Sequence, residues 1–203
     1  LEVGHRYRMR IKLDDIAYKL PKGHKLRLAI STSYFPMMWP APEPVKLTVY
    51  AGVSELHLPI RKNVPSDKIV TFSAPEAAKP VELKHVKPSS NKRLVTVDPK
   101  TGKTHLEIVD DFGTQVITPL KLTIWGTGRE NYSILPDDPL SAKMETHWTE
   151  GRKRGKWDVR TETYGRLTAT KTHWIVWGKI EAFEGKKKVF AKEFNEKIPR
   201  LLQ

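Results

Sequence analysis

Hydrophobic and polar residues alternate along much of this chain with a period of two, the pattern of a half-buried β-strand. Residues 7–13 and 24–30 each place apolar side chains at every second position, with basic side chains between them. Near the C-terminus, residues 157–165, 172–183 and 187–194 show similar alternation and predict a three-stranded meander. No long segment has the 3.6-residue period of a helix. The pattern therefore predicts an all-β fold of roughly a dozen short strands.

Turn-forming residues separate these segments. The sequence "DPKTG" at 98–102 predicts a hairpin loop, and Glu184–Gly185 predicts a tight turn before the last strand. The acidic pairs Asp14–Asp15, Asp110–Asp111 and Asp137–Asp138 each stand where an alternating segment ends, which favours turns over calcium or acid–base sites. Many short strands joined in this way predict a β-sandwich of jelly-roll type.

Residues 62–93 interrupt the alternation with prolines and small residues. Such a segment is either a linker between two domains or a long irregular excursion within one. Because apolar strands occur on both sides of it, the excursion is favoured, and residues 1–203 are predicted to form a single domain. The alternating pattern begins almost at the first residue, so we interpret the chain as a piece of a longer one.

An irregular loop carries an unusual concentration of apolar side chains. Tyr34, Phe35, Met38 and Trp39 lie among prolines, which prevent this stretch from continuing a central strand or forming a helix. Exposed apolar patches usually mark contacts, so these four residues are the candidate interface or pocket wall. The alternative is that they fold inward and cap the core. That alternative is favoured for Phe35 and for Met37, and the interface is favoured for Trp39.

Charge and composition narrow the classes of partner. The formal net charge is +13, but most basic residues occupy the outward positions of alternating strands, which is typical of a basic surface rather than of specific nucleic-acid binding. An acidic surface elsewhere in a longer chain is a second explanation. No apolar run reaches the roughly 18 residues that cross a bilayer, so no membrane partner is predicted. Self-association through sheet edges stays open.

Candidate chemistry is sparse. No G-x-S-x-G motif presents a serine nucleophile, and the chain has no cysteine, which excludes disulfides and thiolate metal sites. The seven histidines are scattered without the i+2 or i+4 spacing of a metal site. The sequence therefore predicts no catalytic, cofactor-binding or metal-binding residue and no bound cofactor.

Three segments resemble the C-terminal domain of the cocaine esterase and X-Pro dipeptidyl-peptidase family of serine hydrolases. Residues 17–61 are similar to the family's progression of a strand, a "GHKLRL" start, a run of small residues and an "FP" break. Asp138 to Ala142 resemble its "D-P-L-S-A" stretch, and residues 160–200 are similar in layout to its closing strands. The resemblance spans nearly the whole chain, and none of its motifs is catalytic.

The resemblance implies a galactose-binding-like jelly roll that packs against an upstream α/β-hydrolase domain of the same chain. In such enzymes the Ser–Asp–His triad lies on that upstream domain, so this polypeptide is expected to be a non-catalytic accessory domain of a hydrolase of ester, amide or peptide bonds. The family resemblance also favours a bacterial, cytoplasmic location, although the residues themselves do not indicate the compartment. The alternative function is a carbohydrate- or polymer-binding sandwich that uses Tyr34 and Trp39 as stacking platforms.

Overall fold

The computed structural model describes residues 2–68 and 71–201 and is almost entirely β. Short 3₁₀ turns occur at Ala51–Val53, Pro65–Lys68 and Thr118–Leu120. The chain divides into two units, Leu1–Ser31 and Thr32–Gln203. The eight strands are β1 (Leu83–Lys87), β2 (Ser90–Val97), β3 (Thr104–Ile117), β4 (Leu122–Leu135), β5 (Asp138–Arg154), β6 (Trp157–Ala169), β7 (His173–Glu184) and β8 (Lys187–Pro199).

All eight strands form one antiparallel sheet in the order β1-β3-β4-β5-β6-β7-β8, and β2 also pairs with β3. β2 lies along the first part of β3, from Thr104 to Asp111, while β1 lies along its last part. From β3 onward each strand pairs with the next strand of the sequence, as short hairpin turns dictate. The all-β prediction is confirmed, and the sheet is consistent with a β-sandwich. The jelly-roll and galactose-binding-like specification stays a prediction.

The predicted hairpin turns are confirmed. At 98–102 the Gly102 amide donates to the carbonyl of Asp98 over 2.8 Å, and Gly102 adopts a φ of +71° that a Cβ would disfavour. Gly185, with a φ of +56°, forms the turn between β7 and β8. The three predicted C-terminal strands are β6, β7 and β8 in antiparallel order.

The strands are fewer and longer than the sequence predicted. β3 runs through Asp110–Asp111, where a turn was expected, and that prediction is wrong. A bulge takes its place, because the register of β3 against β4 shifts between Asp111 and Thr114. Gly113 has a φ of +72°, and its amide donates to the Asp111 carboxylate over 2.9 Å. The Asp111 carboxylate thus accepts a hydrogen bond from the backbone amide two residues later, as it would in a turn, although it lies within a strand.

Two other segments differ from prediction. The irregular excursion predicted over 62–93 ends at Glu82, because Leu83–Lys87 and Ser90–Val97 both find partners along β3. Residues 7–13 and 24–30, predicted as strands, carry no strand within the described part of the first unit. Alternation alone does not make a strand, since a ladder also needs a partner for its backbone hydrogen bonds. The single-domain prediction for residues 1–203 stays a prediction.

The cross-strand register separates the sheet into two chemically distinct faces. The apolar face contains rows such as Leu106, Tyr132, Met144, Leu167 and Val176, which stand directly opposite one another on successive strands. The opposite, charged face contains rows such as Arg129, His147, Tyr164, Lys179 and Glu193. Among the described residues, the buried hydrophobic core consists of Leu106, Ala142 and Ala169.

Carboxylates on the charged face are held by cationic side chains of the same strand and of adjacent strands. Glu181 lies 2.9 Å from the ammonium of Lys179 and 2.5 Å from that of Lys188. Hydrogen bonds from Lys188, then Lys179, lower the pKa of Glu181 below its ordinary value. Glu107, between Lys92 and Arg129, also has a lowered pKa, chiefly through its hydrogen bond with Lys92. The ionised forms of these carboxylates therefore stabilise the sheet.

A lowered pKa in the folded state predicts loss of stability in acid. The contribution of Glu181 is fully present above the ordinary glutamate value of 4.5 and is lost as pH falls through the lower folded pKa. We expect Glu181→Gln to lower the urea midpoint at pH 7 and to lose less stability than wild type between pH 6 and pH 3. Urea unfolding followed by circular dichroism measures both. Glu184→Gln, at the exposed end of the same strand, is the control; equal effects of the two substitutions would contradict the assignment.

The close approach of strands β4 and β5 predicts a second outcome. Gly151 has no side chain where the indole ring of Trp125 lies, so a Cβ there would overlap the ring. We expect Gly151→Ala to lower the unfolding free energy by about 1–3 kcal/mol through overpacking. At Gly178 an added Cβ would meet atoms no closer than 3.7 Å, so Gly178→Ala should cost little. Similar losses at both positions, measured by urea unfolding, would refute this packing argument.

Candidate functional site

The aromatic loop at 34–39 contains a tight turn, and its side chains point in two directions. The Met38 amide donates to the Tyr34 carbonyl over 2.7 Å and closes the turn, which contains a cis Phe35–Pro36 peptide bond. Tyr34, Met37 and Met38 are exposed, with 69%, 81% and 64% of their surface accessible. Phe35 and Trp39 are half-buried. The turn therefore presents one apolar tip and one apolar base.

The base of the loop packs on aromatic side chains of the sheet. Phe35 meets Trp39 edge to face, with ring centroids 5.3 Å apart, and approaches Tyr132 of β4 at 6.2 Å. Trp39 in turn meets Trp174 of β7 edge to face at 5.7 Å. Such tilted arrangements bring the positive edge of one ring to the negative face of the next. The loop is thereby seated on the apolar face of the sheet.

Arg200 fixes this seating. Its Nη2 donates to the carbonyl of Pro40 over 2.8 Å, and its Nη1 donates to the carbonyl of Thr170 over 3.3 Å. The guanidinium carbon lies 4.3 Å from the ring centroid of Trp174, within the range of a cation–π contact. Arg200 is buried, and desolvation lowers its pKa. A planar group with several donors can hold both carbonyls while stacking on the ring, which a lysine cannot do.

The structure divides the four residues that the sequence singled out. Tyr34 and Met38 lie at the exposed tip, whereas Phe35 and Trp39 lie at the base against the sheet. Phe35 thus takes the inward position that the pattern favoured for it. Trp39, which the pattern favoured as an interface residue, lies at the base, and Met37, which it favoured as inward-facing, lies at the tip. Sequence reasoning missed Arg200, because a single arginine after a strand carries no sign of a partner 160 residues away.

The charged face brings together groups that often take part in catalysis. The ring of His147 stacks on that of Tyr164 at 4.3 Å, and its Nε2 lies 3.7 Å from a carboxylate oxygen of Glu162. Glu162 already accepts hydrogen bonds from the Tyr164 hydroxyl and from Arg160, each at 2.8 Å. The bond with Glu162 and burial raise the pKa of Tyr164 to about 12. Protonated Tyr164 and occupied Glu162 form a structural network with no activated nucleophile.

Two shallow clefts flank Glu150 and Arg152 on the sheet. One, of about 260 Å³, is lined by aromatic residues including Phe112 and Trp148; the other, of about 410 Å³, is lined in part by Trp157. None of the four sequence-predicted residues lines either cleft. Among the residues that the structure describes, no group of three or more histidine or acidic side chains could hold a metal ion. No helix in the described ranges is long and apolar enough to cross a membrane.

Loss of Arg200 should release the loop from the sheet. We expect Arg200→Ala to lower the unfolding free energy by about 2–4 kcal/mol, the scale for losing charge-assisted hydrogen bonds and a cation–π contact. Arg200→Lys should be intermediate, since it keeps the charge but not the two-pronged geometry. Intrinsic tryptophan fluorescence reports the same event, because Trp39 and Trp174 become solvated. Arg166→Ala, which removes a guanidinium 5.4 Å from Trp177, is the matched control. Equal losses at Arg166 and Arg200 would contradict the anchoring role.

Comparison with known proteins matches part of the chain to a family model. No curated protein and no solved structure matches the chain. One family model matches residues 1–95, a segment that includes the aromatic loop and ends within β2. Trp174 and Arg200, which hold that loop, lie beyond the matched segment. The matching model is that of the X-Pro dipeptidyl-peptidase C-terminal non-catalytic domain, so the family resemblance is confirmed over the first 95 residues.

Proposed function

We propose that this chain is a non-catalytic accessory domain of an α/β-hydrolase-type serine hydrolase of the X-Pro dipeptidyl-peptidase and acyl esterase family. Its partner is the catalytic domain upstream in the same polypeptide. The observation that carries the proposal is the family match over residues 1–95, whose model describes a non-catalytic C-terminal domain. The charged face supports it, because its central carboxylate and tyrosine are engaged in structural hydrogen bonds.

The exposed tip of the aromatic loop is the proposed docking element. Tyr34, Met37 and Met38 form a small apolar patch on a turn that Phe35 and Trp39 anchor from behind. A rigid base lowers the entropy that is lost when such a turn binds. Methionine and tyrosine suit a contact surface, since the thioether adapts its shape and the phenol keeps a polar end in water. The tip therefore packs on the catalytic domain and forms part of the wall of the substrate pocket.

The contribution of this domain to catalysis is positional. A pocket wall held in place by Arg200 and the aromatic base keeps the substrate near its reacting geometry without supplying a nucleophile or moving a proton. The proposed role thus affects substrate binding more than the chemical step. Phe35 and Trp39 act indirectly, because they set where the tip stands.

The carbohydrate-binding alternative has less support from the loop. It requires both Tyr34 and Trp39 as flat, open stacking platforms. The indole of Trp39 instead packs against Phe35 and Trp174. Nucleic-acid binding is not favoured either, because several basic side chains of the sheet, such as Lys92, Lys179 and Lys188, lie in ion pairs.

The test requires the full native polypeptide that contains these residues. Expressed whole, it should hydrolyse an X-Pro-p-nitroanilide or an acyl p-nitrophenyl ester, while the 203-residue chain alone should not. We expect Tyr34→Ala combined with Met38→Ala to raise KM about three- to tenfold, with kcat little changed, since a lost uniform binding contact acts mainly on KM. Steady-state kinetics with both substrates measures the two constants.

The matched control is Val53→Ala, which removes another exposed apolar side chain outside the loop. Its kinetics should equal those of the wild type. Unchanged KM in the double variant would contradict the docking role while leaving the accessory-domain role standing. Hydrolysis by the 203-residue chain alone would overturn the accessory-domain role itself.

A further inference from the structure

Strand β8 is a terminal strand of the sheet, and its outer backbone groups have a regular arrangement. The Arg200 amide donates to the carbonyl of Thr172 on the β7 side. Since backbone groups alternate in direction along a strand, the even-numbered residues back to Phe190 face β7 and the odd-numbered ones face outward. Pro199, which has no N–H to donate, falls on the outward side, where edge strands tolerate proline. Between Ala191 and Lys197 the edge thus offers a continuous row of donors and acceptors.

The side chains of β8 on the apolar face form a palindrome in chemical type. Phe194 stands at its centre, Lys192 and Glu196 flank it, and Phe190 and Ile198 lie outside them. The three apolar side chains are each 42–50% exposed. Within the described ranges, neither Lys192 nor Glu196 takes part in a salt bridge, and their neighbours on β7 are the apolar Ile180 and Val176. Two opposite charges therefore stand symmetrically about Phe194 without charged partners on β7.

We propose that β8 pairs with β8 of a second copy of this chain, antiparallel, about a two-fold axis at Phe194. In this register Lys192 of each copy faces Glu196 of the other, Phe190 faces Ile198, and Phe194 faces itself. On the charged face Glu193 meets Asn195 and Ala191 meets Lys197. Both charged side chains that β8 places on the apolar face, Lys192 and Glu196, gain an opposite partner, and both apolar faces lie on the same side of the joined sheet. The proposal does not depend on the function proposed above.

Neighbouring registers are unfavourable. A shift of two residues places Lys192 opposite Phe194 in one direction and opposite Ile198 in the other, and Glu196 likewise faces a phenylalanine in both. A shift of four residues places Lys192 opposite Lys192 of the other copy in one direction and Glu196 opposite Glu196 in the other. A shift of one residue places side chains of the apolar face of one copy opposite side chains of the charged face of the other, so the two apolar faces no longer lie on the same side of the sheet. Like charges directly opposed across strands are destabilising, whereas opposite charges attract. Of these registers, only the one centred on Phe194 pairs Lys192 with Glu196, so the charges on the apolar face favour it.

Lysines on edge strands commonly prevent pairing, and β8 contains four of them, at 187, 188, 192 and 197. Only Lys192 and Lys197 fall within the proposed ladder. The register of β7 and β8 shifts between Ala182 and Phe183, which ends the regular part of β8 at Phe190. Lys188 beyond that point is held by Glu181. The lysines therefore exclude other strands while permitting this self-pairing.

Charge reversal tests the proposal on the purified 203-residue chain by sedimentation velocity over a range of concentrations. We expect a reversible dimer. Lys192→Glu alone and Glu196→Lys alone should each weaken dimerisation at least tenfold, because the two-fold axis doubles each like-charge pair. The double variant should recover dimerisation, since every pair is then inverted. An equimolar mixture of the two single variants should form a heterodimer. Glu184→Lys, outside the ladder, is the control for net charge.

A cysteine at the axis gives an independent readout, since the chain has none of its own. The alternation makes Phe194 a non-hydrogen-bonded pair with itself, where the two α-carbons stand about 4.5 Å apart, within the range that a disulfide spans. Phe194→Cys should form a covalent dimer on mild oxidation, and Phe190→Cys, which faces Ile198, should not. A monomer at all concentrations would overturn the proposal. A dimer that is indifferent to both charge reversals would also overturn it, by placing the contact on another surface.

Discussion

The buried guanidinium of Arg200 is the contact on which the arrangement of the second unit depends. It joins the carbonyl of Pro40, directly after the loop, to the carbonyl of Thr170 in the turn before β7, and it stacks on Trp174. A buried cation needs such partners, because its loss of hydration is otherwise unfavourable. The contact also links the segment matched by the family model to strands that lie beyond the match. Loop and sheet are therefore one structural element.

The apolar face of the sheet is the second constraint. The loop's rings contact this face at Tyr132 and Trp174, while large side chains such as Phe112, Phe190 and Phe194 are 42–50% exposed. Apolar surface left in water is unfavourable in proportion to its area. Both proposals address this surface from different sides: the loop tip packs on a catalytic domain, and the β8 edge extends the sheet with a second copy. The two contacts use separate residues.

The charged face explains how a strongly basic chain holds a stable sheet. Glu107 and Glu181 each lie between two cationic side chains, and Glu162 accepts hydrogen bonds from Arg160 and Tyr164 of its own strand. Positive charges therefore lie beside carboxylates instead of opposing one another. Lys192 and Glu196 depart from this arrangement, because they lie on the apolar face and form no ion pair with any residue that the structure describes. That departure singles out β8 as a place where a partner supplies the missing charges.

The sequence by itself determined the local features. Period-two alternation predicted an all-β chain, glycine and proline located the turns at 98–102 and at Gly185, and the loop at 34–39 was recognised as irregular and apolar. Tertiary structure decided which alternating segments became strands, since residues 83–97 found a partner in β3 and residues 7–13 did not. It also decided that Trp39 faces the sheet and that Arg200 holds the loop. Local pattern reflects the side chains of one segment, whereas pairing, burial and anchoring depend on residues far apart in the chain.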